Sequence, residues 1–496
     1  MRFKIFKHHH CKPFSQRECP WRVNLLAAVI VLVLAACAAV GPDYVPVEPK
    51  APSKWQTDLE DGLNEAPLNP ETMAQWWTTI NDPQLTSLEQ RAVKGNLDLQ
   101  QARARIREAR ALRGISQAQL FPTVDTTVSI TRNRSSESTG TGSTETLYAA
   151  GFDAGWELDI FGGLRRAVEA AQADLEASQQ QLHDVLVSLL AEVALNYLEV
   201  RTFQARLAVT EKNIKAQQET YELNHSRYQA GIISELPVKQ ALYNLERSRS
   251  QIPILQTGLA AAKNRLAVLL GESPGVLDDE LEEMKPIPVP PVSVAVGLPA
   301  ETLRHRPDIR RAERNLAAQT ARIGVATADL YPKFRLFGSI GLESLSDDDF
   351  LEWSNRTWGI GPGASWNIFD AGAIRQNIEV QTARQEQALI QYESTVLRAL
   401  EEVEDVLVAY AKVRRRREYL AKATEAARQA DLLARDQFSA GLVDFSNVLI
   451  TQLALLSLED DLARSEGAAT STLVRLYKAL GGGWKSLEPD SPSIKK

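Results

Sequence analysis

The sequence predicts an α+β membrane protein in which four transmembrane β-strands per protomer contribute to a 12-stranded trimeric β-barrel, continued by a hollow cylinder of long coiled-coil α-helices. Three features of the 496 residues carry that expectation. The chain holds an internal two-fold repeat with a constant offset of 210 residues. Each half contains a run of about 65 residues free of Pro and Gly, longer than a globular helix needs. Each half also contains two segments whose apolar residues alternate with period two.

The repeat aligns without a gap. Asp98 meets Asp308, Gly114 meets Gly324, Pro122 meets Pro332, Trp156 meets Trp366, and Ala230-Gly231 meets Ala440-Gly441. Both halves read as helix, two strands, very long helix, helix. The first helix spans about 85–120 and ends at Phe121-Pro122, and its copy spans about 308–330 and ends at Tyr331-Pro332. The long helices, about 164–229 and 374–439, are rich in Ala, Glu, Gln, Leu and Arg. Their apolar seams, Leu186, Leu190, Val193, Tyr197, Val200 and Val396, Leu400, Val403, Leu407, Tyr410, step by three and four, as coiled coils do.

Strand alternation is clearest in 148–160, where Phe152, Trp156 and Leu158 interleave with Asp153, Glu157 and Asp159. Segments 123–130, 333–342 and 357–368 behave alike. Long strands with one aromatic apolar face and one small or charged face carry the weak signature of lipid-facing strands. Four strands cannot close, so copies must pool them, and three copies leave room for a pore. Asp125, Asp153, Glu157 and Asp159 are then lumen-facing acids, which either favour cations or keep the lumen wet.

The long helices end at repeated breaks, Gly231-Ile232-Ile233-Ser234 and Gly441-Leu442-Val443-Asp444. Gly supplies the left-handed cap, and Ser234 and Asp444 suit the N-caps that follow. The apolar pairs at these tips either dock a partner or pack within an ordinary helical turn. The boundaries are thus 1–36, 37–84 (extended), 85–271 (first repeat), 272–300 (linker with Pro286 to Pro291), 301–481 (second repeat) and 482–496 (tail).

The leader carries six basic residues against Glu18, then an apolar run from Leu25 to Leu34, too short to span a bilayer. Leu34-Ala35-Ala36-Cys37 resembles a bacterial lipobox, which implies a covalent diacylglyceryl lipid on Cys37. Ala38 lacks the aspartate of an inner-membrane retention signal, which favours the outer membrane.

Together these residues resemble the TolC-like outer-membrane efflux proteins, in particular their OprM/NodT-type lipoprotein branch. The resemblance rests on Cys37 to Tyr44, Trp76-Trp77 before Asp82-Pro83-Gln84-Leu85, Leu303 to Ile309 with Ala312-Glu313, Trp366 to Gly372, and the two Ala-Gly tips. It implies a homotrimer with a periplasmic helical tunnel. It also implies docking of the tips on a periplasmic adaptor, an inner-membrane resistance-nodulation-division pump as partner, and passive conduction of small molecules. Family members commonly narrow the periplasmic end with inward aspartates. The matching positions here are Asn447 and Ile450, which leaves Asp444 as the nearest acid, either a gate residue or a plain N-cap.

The composition excludes other classes. With 56 Lys+Arg against 63 Asp+Glu, the chain is no strongly basic nucleic-acid binder. Beyond the leader only one Cys and three His remain, which excludes a disulfide scaffold and a Cys/His metal site. No phosphate loop or nucleophile motif appears, so neither an enzyme nor a cofactor beyond the Cys37 lipid is expected. Arg414 to Arg417 reads as a solvated helix face with intrahelical pairs. A type I secretion duct and a periplasmic scaffold or adaptor lipoprotein remain as alternatives.

Overall fold

The fold is taken from a computed structural model, which describes residues 39–484 apart from 50, 61 and 292. Cys37 lies outside the described residues. The elements in order are β1 (Leu63–Asn64), α1 (Pro70–Ala74), a 3-10 turn (Trp76–Ile80), α2 (Pro83–Gly95), α3 (Leu97–Ala118), β2 (Thr123–Arg134), β3 (Thr144–Leu158), α4 (Gly163–Gln229), α5 (Glu235–Arg249) and α6 (Gln251–Leu269). Then come β4 (Val294–Ala295), α7 (Pro299–His305), α8 (Pro307–Ala328), β5 (Lys333–Ser344), β6 (Arg356–Ser365), α9 (Ala373–Ser439) and α10 (Phe445–Ala479).

The repeat survives in three dimensions. α4 and α9 are each 67 residues long and begin and end 210 positions apart. At 1.5 Å per residue each is about 100 Å long. The first predicted helix is two helices, α2 and α3, broken at Gly95-Asn96. A Cβ on Gly95 would lie 2.1 Å from the Leu270 carbonyl oxygen, so only glycine permits the approach. The Asn96 side chain then accepts from the Leu99 amide at 2.9 Å and restarts the helix. The return helices of the halves also differ. The first is interrupted at Ser250, three residues before Pro253, whereas α10 runs unbroken for 35 residues.

The chain divides into two compact units. One comprises the chain up to Tyr44, Gly114–Ala170 and Thr320–Ala383. It contains one four-stranded antiparallel sheet of order β2-β3-β5-β6. Here the sequence expectation requires correction. The fold is mostly α-helical, and its two β-sheets are small and open, with β2 and β6 as edges of the larger one. The 12-stranded trimeric barrel continued by a tunnel is not what the chain forms. Among the described residues no helix is long and apolar enough to cross a membrane. Alternation requires only that a strand's two faces meet different surroundings, and carries no information about closure.

The other unit comprises Val45–Arg113, Ala171–Gln319 and the chain from Arg384 onward. Its core takes in the predicted seams. Leu186, Leu190, Val193, Tyr197 and Val200 are buried, as are Val403, Leu407 and Tyr410, with Leu400 partly buried against them. Trp76 stacks on Tyr477, with ring centroids 5.5 Å apart. The linker ends in β4, which pairs in parallel with β1 as a second, unpredicted sheet of two strands. The Leu303 to Ile309 motif is a junction. Arg306 donates to the Ala479 carbonyl at 2.6 Å and pairs with Asp308 and Glu402 at 2.8 and 2.7 Å. In the basic run, Arg415 pairs with Glu60 at 3.1 Å and Arg417 lies 3.8 Å from Glu466, both distant in sequence, while Arg414 donates to Tyr410 Oη at 3.3 Å one turn back on its own helix.

Candidate functional site

Two regions carry the predicted functional residues, and each is built by local rules. The helix hairpin tips belong to the second unit. Gly231 and Gly441 both adopt φ +73°. Gly231 N–H donates to Tyr228 O, and Ile232 N–H donates to Arg227 O, both at 2.9 Å. Gly441 N–H to Phe438 O (3.1 Å) and Leu442 N–H to Gln437 O (2.8 Å) repeat the pattern. This is the Schellman closure, which satisfies carbonyls that the helix end would orphan. It throws the next side chain outward, and Ile232 and Leu442 are 70% and 75% exposed. Ile233 and Val443 are half-buried. Each tip thus offers one apolar side chain to the surroundings and keeps the other.

Ser234 and Asp444 stand at the N-cap positions with extended backbones, yet neither side chain makes a capping hydrogen bond. Asp444, Asn447 and Ile450 are all exposed, at three-residue spacing along the start of α10. Behind the tips, Phe445, Val448 and Leu449 pack with Ala241 and Ala434. Phe438 lies 5.3 Å from Phe445, and the Arg227 guanidinium sits 5.0 Å from the Phe438 ring centroid.

The sheet of the first unit has two distinct faces. Val124, Val128, Ile130, Phe152, Ile340, Trp358 and Ile360 share one, and all are exposed. An apolar surface of this extent marks a contact with membrane or protein. On the other face Asp125 stands directly opposite Asp153, and Glu157 opposite Arg335, whose Nη2 approaches its carboxylate at 3.3 Å. Like charges opposite one another across strands disfavour pairing, an effect that water screens here because both carboxylates are exposed. Asp159 lies past the end of β3. Its carboxylate accepts from the Leu164 and Arg165 amides at 3.0 and 2.9 Å and so caps α4. Asp370 does the same for α9 through the Gly372 and Ile374 amides, and those two bonds hold its carboxyl below the usual range.

Two features escaped the sequence reading. Phe337 breaks the polar face, 55% exposed between Gly155 and Gly361 on its neighbouring strands. The Phe337-Gly338 step in an otherwise alternating run was its only signal. The second is a charged network in the helical unit. Tyr197 Oη donates to Asp82 Oδ2 at 2.6 Å, while Asp82 Oδ1 caps α2 through the Gln84 and Leu85 amides. Arg201, wholly buried, donates to Tyr197, Gln204, Gln84 and the Glu283 carbonyl. Burial and the Asp82 carboxylate push the Tyr197 hydroxyl well above its ordinary range.

Paired hairpin tips, a 210-residue structural repeat and a sheet with one exposed apolar face are shared with a known class, the outer-membrane efflux channels. The sequence profile of outer membrane efflux proteins matches residues 88–272 and 298–482, at the offset of the internal repeat, and the chain belongs to that family. It is a TolC-type channel related to the NodT and OprM proteins of resistance-nodulation-division efflux systems. Nodulation protein T of Rhizobium leguminosarum bv. trifolii is 32% identical over 457 residues, covering 91% of this chain and 96% of that protein. The pyoverdine export outer membrane protein OpmQ of Pseudomonas aeruginosa is 31% identical over 471 residues, covering 93% and 97%. The solved outer-membrane channel OprN superposes with a TM-score of 0.84 at 34% identity, covering 90% of this chain and 100% of that one. Family membership makes the protein a channel, not an enzyme, at the outer membrane and facing the periplasm.

Proposed function

We propose that the chain is the exit duct of a tripartite pump. It passively conducts small toxic compounds delivered by an inner-membrane resistance-nodulation-division transporter and handed over by a periplasmic adaptor. The observation that carries this reading is the pair of tips, where one closure presents Ile232 and Leu442 to solvent at symmetric positions. An exposed apolar side chain on a rigid Schellman turn loses little entropy on docking, so it suits an anchor in a partner's groove. The working assembly in this reading is a homotrimer, which its kinship with trimeric outer-membrane channels supports. The exposed apolar face of the sheet meets outer-membrane lipid, and Cys37 carries the lipid anchor.

Substituting Ile232→Glu with Leu442→Glu tests the docking role. The double variant should reach the outer membrane at normal abundance, fail to crosslink to the adaptor, and leave cells as sensitive to pump substrates as a deletion strain. Full resistance together with intact crosslinking would overturn the assignment of the tips.

A further inference from the structure

Away from the tips and the sheet's faces, one buried charge is spent on a short piece of chain. Arg166, the fourth residue of α4, is nearly covered, and its guanidinium faces the segment that opens the described chain. Nε donates to Val40 O at 3.1 Å, Nη2 donates to Asp43 Oδ1 at 2.6 Å and Gly41 O at 3.4 Å, and Nη1 reaches Glu169 at 2.7 Å. Val40 N–H donates to Phe161 O at 3.0 Å. Gly41, at φ +88°, approaches α8 so closely that a Cβ there would lie 2.4 Å from the Gly324 Cα. A Cβ on Gly324 would meet both Val40 O and the Arg166 stem at 2.8 Å, and one on Gly162 would strike Ala39. Three elements therefore shape one groove around a five-residue strip: the turn after β3, the first turn of α4 and the C-terminal part of α8 around Gly324.

We propose that this groove is a docking site for the first residues of the mature chain, and that Arg166 clamps Ala39 to Asp43 within it. The clamp fixes the point at which the acyl-bearing residue, two positions before Ala39, leaves the fold. This rests on the reading of Cys37 as the lipid-attachment site. Recognition runs through two backbone carbonyls and one carboxylate, so the strip is held by its main chain, by Asp43 and by the absence of a side chain at position 41. A lipid tethered through a free linker could insert anywhere within the linker's reach. With Ala39 held against the turn after β3, a lipid on Cys37 is confined to the reach of two residues from that turn.

The test is limited proteolysis of the full-length protein in outer-membrane vesicles with a broad-specificity protease. Mass spectrometry follows release of the N-terminal peptide ending between residues 39 and 48. The wild type should resist cleavage there. Asp43→Ala should speed it about tenfold, the effect of losing one charge-assisted hydrogen bond, while Asp43→Glu largely restores protection. Gly324→Val should expose the strip at least as much, and Asp43→Ala, altering an exposed side chain, keeps the result readable if Gly324→Val fails to fold. Wild-type cleavage as fast as that of Asp43→Ala would overturn the clamp. The same spectra report residue 37. A protected strip with an unmodified Cys37 would refute the lipid assignment and leave the groove standing, whereas a lipidated Cys37 on an unprotected strip would refute the groove alone.

Discussion

Replacing Arg201 by alanine should be among the most damaging single changes in the helical unit. The guanidinium is fully buried and donates to Gln204 Oε1 at 2.7 Å, to Glu283 O at 2.8 Å, to Gln84 Oε1 at 2.5 Å and to Tyr197 Oη at 3.1 Å. Gln84 is half-buried and also accepts from Lys285 at 3.3 Å, so it would be left only partly unpaired. Gln204 Oε1 and the Glu283 carbonyl lose a charged donor outright, at about 1–3 kcal/mol each. The space vacated by the stem adds a packing term, and relief of the buried charge offsets part of the loss. The net expectation is about 3–5 kcal/mol, the range for breaking a buried charged network. Arg201→Lys should recover little of this, because one ammonium cannot reach acceptors spread around a planar fork. Arg206→Ala removes a partly exposed pair with Asp460 and should cost less than about 1 kcal/mol. The assay is the denaturant midpoint in detergent, paired with hydrogen exchange of the α4 amides around Tyr197 to Gln204. A loss below about 1 kcal/mol for Arg201→Ala, with unchanged exchange, would refute the view that this network ties α4 to the Asp82-Pro83-Gln84 turn.

Glu89 is wholly buried, neither carboxylate oxygen has a hydrogen-bond partner, and burial raises its pKa well above 4.5. The folded state therefore holds this proton more tightly than the unfolded chain, so stability declines as pH rises from about 4.5 toward the raised value. Glu89→Met should flatten that part of the pH–stability curve and raise the midpoint at pH 8, by about 1–3 kcal/mol, and an unchanged slope would contradict it. Gly231→Ala and Gly441→Ala meet no atom within 4 Å, so each should cost only the left-handed backbone penalty of about 1 kcal/mol, read as faster exchange confined to its tip. Asp444→Lys tests the gate role, since the side chain is exposed and makes no capping bond. The leak conductance in planar bilayers should change with little loss of stability, and an unchanged leak would leave Asp444 without a gating part.

The legible parts of the fold share one property, that neighbouring residues suffice to specify them. The bounds of α4 and α9 follow from composition and from the glycines at 231 and 441, and their buried faces follow from three-four spacing. The tips were legible for the same reason, because the Schellman closure needs only a helix end, a glycine and an apolar residue. Where a partner far along the chain decides the outcome, the sequence says less. Asp159 reads as one more acid on an alternating strand, yet the chain turns at Gly162 and makes that carboxylate a helix cap. Phe337 reads as a flaw in alternation until the pairing register sets it between two glycines. Arg166 and Asp43 lie 123 residues apart, and nothing near either announces the other.

By itself, the sequence determined the duplication, the two 67-residue helices with their hairpin tips, the four long strands, the apolar face of their sheet and the membership of an efflux family. Those follow from local propensity, from periodicity and from motifs read in order. Tertiary structure alone decided that the strands form an open sheet, that a second parallel pair forms between β1 and β4, that a fully buried arginine ties the Asp82 turn to α4, and that Ala39 to Asp43 is gripped by α4. Such outcomes depend on which distant backbone and charged groups desolvate together. That choice is set by competition among whole arrangements of the chain, and no local window of residues records it.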